Sequence, residues 1–134
     1  MSRSLIQTAN ISAQTVAVGS IIAPGSTIRR FGCNCRLNGN SIEIEGPGYY
    51  TISGAVTLTP AAAGNVSIAL QENGVTVPGG TATGGITTVG NSVTLPIEVT
   101  VRQGCNCDGA SALSLVLTAG ASTVNNVALR VEKI

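Results

Sequence analysis

The chain has 134 residues, a net charge of +1 and only 10% charged residues. Its mass is 13.4 kDa, which suits one domain around a single core. His and Trp are absent, Asp occurs once and no basic surplus exists, so the usual general base, a Ser-His-Asp triad and a nucleic-acid footprint are all missing.

Val, Ile and Thr together supply 41 residues. These β-branched types are stiff at χ1 and suit a pleated surface, so the chain reads as all-β. In chain order, the first eight residues lack the apolar run of a signal peptide. Synthesis in a bacterial cytoplasm without a leader is therefore expected. The Asn-X-Ser sequons at Asn10 and Asn65 then carry no meaning. Residues 1–28 hold weak strand signals near 6–11 and 16–18, and read as an N-terminal arm or first strands. The main domain is expected over 29–134.

Asn38-Gly39 is a hairpin turn signal that would join residues 33–37 to 41–45. Gly46-Pro47-Gly48 then leads into the clearest alternation. Tyr50, Ile52, Val56 and Leu58 are apolar, and Thr51, Ser53, Thr57 and Thr59 between them are polar. Such a run is a strand buried on one face. Val66, Ile68 and Leu70 repeat the pattern, followed by an Asn73-Gly74 turn. Pro78-Gly79-Gly80 and Gly84-Gly85 mark a looser connection. Val93 to Val101, Leu113 to Leu117 and Val127 to Val131 are the remaining alternating runs. Eight to ten short strands at this spacing predict a sandwich or barrel.

Three long stretches carry no charge: residues 46–71, 73–97 and 109–129. Gly, Pro, Asn and Thr interrupt each of them, so none is a membrane-spanning helix of about 20 apolar residues. Aromatics are scarce: Phe31, Tyr49 and Tyr50. A thin aliphatic core and neutral Thr/Ala/Asn faces suit protein contact better than bulk water. An oligomer is expected.

The unusual constellation is Cys33-Asn34-Cys35 and Cys105-Asn106-Cys107. Residues i and i+2 on a strand share a face. Cys33 and Cys35 share parity with Phe31 and Leu37, and would continue a core stripe if the strand persists. Three readings stand: buried reduced thiols, cross-motif disulfides such as Cys33–Cys107 with Cys35–Cys105, or a four-thiolate metal site. The Cys-x-Cys spacing is narrow for zinc.

The other candidates have plain readings. Glu43 and Glu45 share a strand face, but a solvated edge explains them better than a glycosidase pair. Arg29-Arg30 with Arg36 suits a polar loop or an interface pairing with Glu43 or Glu45. Tyr50 has core parity, leaving Tyr49 as the free ring. Gly79-Gly80 and Gly84-Gly85 have no phosphate-loop lysine after them. Asp108-Gly109 is a turn. No catalytic residue and no cofactor are expected.

The run from Asn40 through Gly46-Pro47-Gly48-Tyr49-Tyr50 to Leu58 resembles the middle of a tumour-necrosis-factor or complement-type globular jelly roll. Residues 66–79 are similar to its next hairpin, and 113–117 and 127–131 to its last two strands. Bacterial or phage versions, such as the tip domains of spore exosporium collagen-like proteins, are the nearest in style. The resemblance implies a two-sheet antiparallel jelly roll of about ten strands that forms a homotrimer. It implies a structural or adhesive role. The expectation is a surface decoration or fibre module of a virion, held to a capsid or other particle protein through the N-terminal arm. The alternative is an adhesive tip that binds carbohydrate or a host surface. Nucleic-acid and membrane partners are not expected.

Overall fold

The computed structural model describes residues 4–103 and 111–134. Twelve strands are present among them: β1 Ser4–Asn10, β2 Gln14–Val16, β3 Ile21–Ile22, β4 Ser26–Phe31, β5 Cys35–Asn38, β6 Ser41–Ile44, β7 Gly48–Pro60, β8 Gly64–Glu72, β9 Val75–Ile86, β10 Val93–Gln103, β11 Ser111–Ala119 and β12 Ser122–Lys133. One sheet runs β10-β7-β12-β1-β4, with β2 also on β12. The other runs β5-β6-β11-β8-β9, with β3 also on β11. All pairings are antiparallel. No helix of the described residues is long and apolar enough to cross a membrane.

Period-2 alternation builds the core. Tyr50, Ile52, Val56 and Leu58 of β7 point inward and are buried. They meet Ile42, Ile44, Ile68, Leu70, Leu113 and Leu117 of the second sheet in one apolar cluster. On β12 the alternation breaks at a bulge between Val124 and Asn126. The extra residue returns Val127, Leu129 and Val131 to the core face.

Residues 4–28, expected as an arm or first strands, form β1, β2, β3 and the start of β4. β1 pairs with β12 on one side and β4 on the other. β2 and β3 are only three and two residues long, which explains their weak signal in the sequence.

Thr8 of β1 faces the core and is 0% exposed, and among the described residues its hydroxyl has no hydrogen-bond partner. An unpaired buried hydroxyl costs about 1–3 kcal/mol. Thr8→Val keeps the branched shape and removes that group. It is expected to stabilise the fold by about 1 kcal/mol, read as a rise in the urea midpoint at unchanged slope.

Candidate functional site

Two regions carry functional potential. The first is the outer face of the β10-β7-β12-β1-β4 sheet, whose side chains alternate with the core set. The pairing register orders them into rows. One row reads Pro96, Ala55, Ala128, Ala9, Ser26 across the five strands. The next reads Glu98, Ser53, Arg130, Gln7, Arg29, and the one beyond it Thr100, Thr51, Glu132, Leu5, Phe31. Thr57 and Thr94 share a hydrogen bond of 3.0 Å between their hydroxyls on this face. The centre of the face thus carries small, uncharged side chains, and charge appears only in the rows toward one end.

At the margin of this face, β4 has a sheet partner on one side only among the described residues. All six of its residues are exposed, Ile28 by 53% and Phe31 by 51%. A free, two-sided edge with apolar side chains is an association liability unless something covers it.

The second region is the end of the sandwich that holds the first Cys-Asn-Cys motif. Asn34 ties it together. Ser4 Oγ donates to Asn34 Oδ1 at 2.7 Å, and Asn34 Nδ2 donates to the Glu45 carbonyl at 2.6 Å. The Glu45 amide donates back to the Asn34 carbonyl at 2.8 Å. The Tyr50 hydroxyl lies 2.8 Å from both the Glu45 and Gly46 carbonyls. Gly46 has φ +99°, and a Cβ there would meet Asn34 Nδ2 at 2.6 Å, so this turn requires glycine. Arg30 Nε donates to the Cys35 carbonyl at 2.8 Å.

The two described cysteines differ. Cys35 is buried in the core cluster, as its parity with Leu37 predicts. Cys33 is exposed, so the stripe does not extend back to it. The reason is local: β4 ends at Phe31, and Gly32 at φ +78° turns the chain out of strand geometry. Among the described residues, neither Cys33 nor Cys35 forms a disulfide. Burial pushes the Cys35 thiol up to about 11, against the pull of Arg30 and Lys133. Burial likewise pushes the Tyr50 phenol up to about 12, with the neighbouring Cys35 adding to it.

This difference gives a direct expectation. At pH 8 a thiol with pKa about 11 is thiolate in only about one molecule in a thousand. A maleimide added to the reduced native protein should modify Cys33 and spare Cys35 until the chain is unfolded. Peptide mass mapping reads both sites. Equal modification of the two would contradict the buried placement.

Cys105 and Cys107 lie outside the described residues. The residues flanking that segment are placed. Ser111 Oγ donates to Gln103 Oε1 at 2.8 Å. Ser111 and Cys35 both pair with Ile44, from opposite sides of β6. The fold therefore brings Gln103 and Ser111 to the same end of the sandwich as the first motif. Among the described residues, no group of three or more His, Cys, Asp or Glu side chains is placed to hold a metal.

The remaining candidates fall apart as chemistry. Arg36 Nε donates to Glu43 Oε1 at 2.7 Å within one chain. That hydrogen bond, aided by Asn38, holds the Glu43 carboxyl below its ordinary range. The pairing expected across an interface is thus intramolecular for Glu43. Glu45 lies past the end of β6 and is exposed. Tyr49 is 54% exposed, while Tyr50 is buried. The described residues enclose no pocket. Sequence reasoning missed the rows on the outer sheet face, because they depend on register between strands distant in the chain.

No family model and no curated protein matches this chain. Solved structures do. Murine APRIL, in its crystal structure at pH 5.0, has a TM-score of 0.75 at 8% identity, over 99% of this chain and 100% of that one. The globular domain of the zebrafish complement 1qA protein has a TM-score of 0.70 at 7% identity, over 97% of this chain and 95% of that one. The vertex protein P5 of PRD1 has a TM-score of 0.67 at 12% identity, over 98% and 96%. At these identities the likeness is one of fold: a two-sheet antiparallel jelly roll of the tumour-necrosis-factor and complement type.

Proposed function

We propose that the chain is a non-catalytic structural subunit that assembles as a homotrimer on the surface of a phage virion. The observation that carries this reading is the outer face of the β10-β7-β12-β1-β4 sheet. Its Pro96, Ala55, Ala128, Ala9, Ser26 row is small and uncharged from one strand to the next. Such a face lets a neighbour approach closely without stripping water from ions. Glu98 and Arg130 flank Ser53 in the adjacent row, and neither has an ion pair within the described residues. A neighbouring subunit can pair each with its opposite. The fold shared with the PRD1 vertex protein supports a place on a particle.

Ser4–Asn10 pairs with β12 on one side and β4 on the other, so these residues are not free to serve as an attachment arm. An adhesive tip is the second reading, and the fold shared with the complement globular domain favours it.

Density-gradient fractionation of particles from producing cells tests the proposal. The chain should band with intact particles and be labelled on their surface by antibody. A chain that stays in the soluble fraction and shows saturable glycan binding instead would favour the adhesive reading.

A further inference from the structure

Asn-Gly occurs twice, at Asn38-Gly39 and Asn73-Gly74, and each pair lies at the tip of a hairpin. Asparagine before glycine is a labile pair, because a residue without a Cβ lets its own amide nitrogen swing onto the preceding side chain. How firmly the asparagine is held decides whether that happens. The two turns differ in this respect.

Asn73 is built into the sheet. Its amide donates to the Ala112 carbonyl at 2.8 Å, and the Ala112 amide donates to Asn73 Oδ1 at 2.9 Å. Asn73 Nδ2 reaches Ser111 Oγ at 3.4 Å. Backbone and side chain are thus both tied to β11, the strand beside β8. Turning the carboxamide toward Gly74 breaks the bond from Ala112. Asn38 is the last residue of β5, a four-residue strand whose only sheet partner among the described residues is β6. It is exposed and pairs with Ser41. Among the described residues its side chain is held by one exposed hydrogen bond, from Nδ2 to Glu43 Oε2 at 3.1 Å. A Cβ at Gly39 would meet nothing within 4 Å, so the turn has open space around it. Water replaces the exposed bond at little cost, and the end of a short edge hairpin opens readily.

We propose that Asn38 is a site of spontaneous covalent modification, deamidation through a succinimide, and that the fold protects Asn73 from the same reaction. The Gly39 amide nitrogen bonds to Asn38 Cγ, and the Cγ–Nδ2 bond breaks. Nδ2 leaves as ammonia, carrying the proton of the Gly39 amide. Water then opens the ring. Addition at Cγ breaks the new bond and leaves aspartate. Addition at the main-chain carbonyl breaks the original peptide bond and leaves isoaspartate, with the chain running through the side chain. Nothing is oxidised or reduced. Each event takes the net charge from +1 to 0. The new carboxylate stands beside Glu43, where Nδ2 had been a donor. Glu43 then keeps the Arg36 hydrogen bond and loses the Asn38 one, so its carboxyl is held low less strongly. The reaction needs no assembly and no partner, so it is independent of the homotrimer.

Incubating the purified chain in neutral buffer, folded and in guanidinium chloride, tests the proposal. Peptide mapping reads the gain of about 1 Da at each site, and an isoaspartate methyltransferase labels the rearranged product. In the folded chain Asn38 should convert, and Asn73 should convert roughly tenfold or more slowly. In denaturant the two should convert at similar rates, since glycine follows both. Asn38→Gln should stay folded and lose the early acidic form on ion exchange. Equal rates at the two sites in the folded chain would overturn the proposal. So would an Asn38 that stays intact in the folded chain while it converts in denaturant.

Discussion

Gly54→Ala should destabilise the protein by about 3 kcal/mol, through backbone crowding at the centre of the sheet. Gly54 sits mid-strand on β7, opposite Ile97 of β10 and Leu129 of β12. A Cβ there would lie 2.5 Å from the Ala128 carbonyl oxygen and 3.2 Å from Leu129 Cα. Both are backbone atoms in a ladder hydrogen-bonded on both sides, so neither can retreat without breaking register. Gly84→Ala provides the contrast. Its Cβ would meet Leu95 Cδ2 at 2.8 Å, the tip of a flexible side chain that can change rotamer. The urea midpoint at fixed protein concentration should fall far more for Gly54→Ala than for Gly84→Ala. Equal falls would mean that the β7–β12 approach is looser than described.

Ala55→Asp should convert the assembly to single chains while leaving the fold intact. Ala55 lies at the middle of the neutral row, between Pro96 and Ala128. Its side chain points away from the core, so the carboxylate is solvated in an isolated subunit. In an assembly built on this face, each subunit would bury an unpaired carboxylate, at a cost of several kcal/mol. The same substitution at Thr81, exposed on the outer side of β9 in the other sheet, should leave the mass unchanged. Sedimentation of the two variants separates the faces. Circular dichroism checks that both remain folded.

Much of the fold was legible because its signal is local. Tyr50 to Leu58 alternates strictly enough to give strand, face and burial together, and the structure keeps all three. Tyr49 and Tyr50 separated correctly by parity alone. The parity argument failed at Cys33, because it assumed a strand through Gly32, where the backbone turns to φ +78°. β12 was readable only from Val127, since the bulge after Val124 interrupts the alternation. β2 and β3 are too short for any period to show.

The candidate faces were much less legible. The Pro96, Ala55, Ala128, Ala9, Ser26 row takes one residue from each of five strands, and only register joins them. An Arg36 pairing with Glu43 or Glu45 was legible only as one alternative, across an interface; the Arg36–Glu43 pair forms within the chain. The Asn38-Gly39 hairpin puts them directly opposite each other on β5 and β6.

Native mass spectrometry of the purified protein tests the central claim, that the neutral sheet face is a surface for self-assembly. The account predicts a unit of three chains, and single chains for Ala55→Asp. A wild-type protein that flies as one chain at every concentration would contradict it. So would a three-chain unit that Ala55→Asp leaves intact.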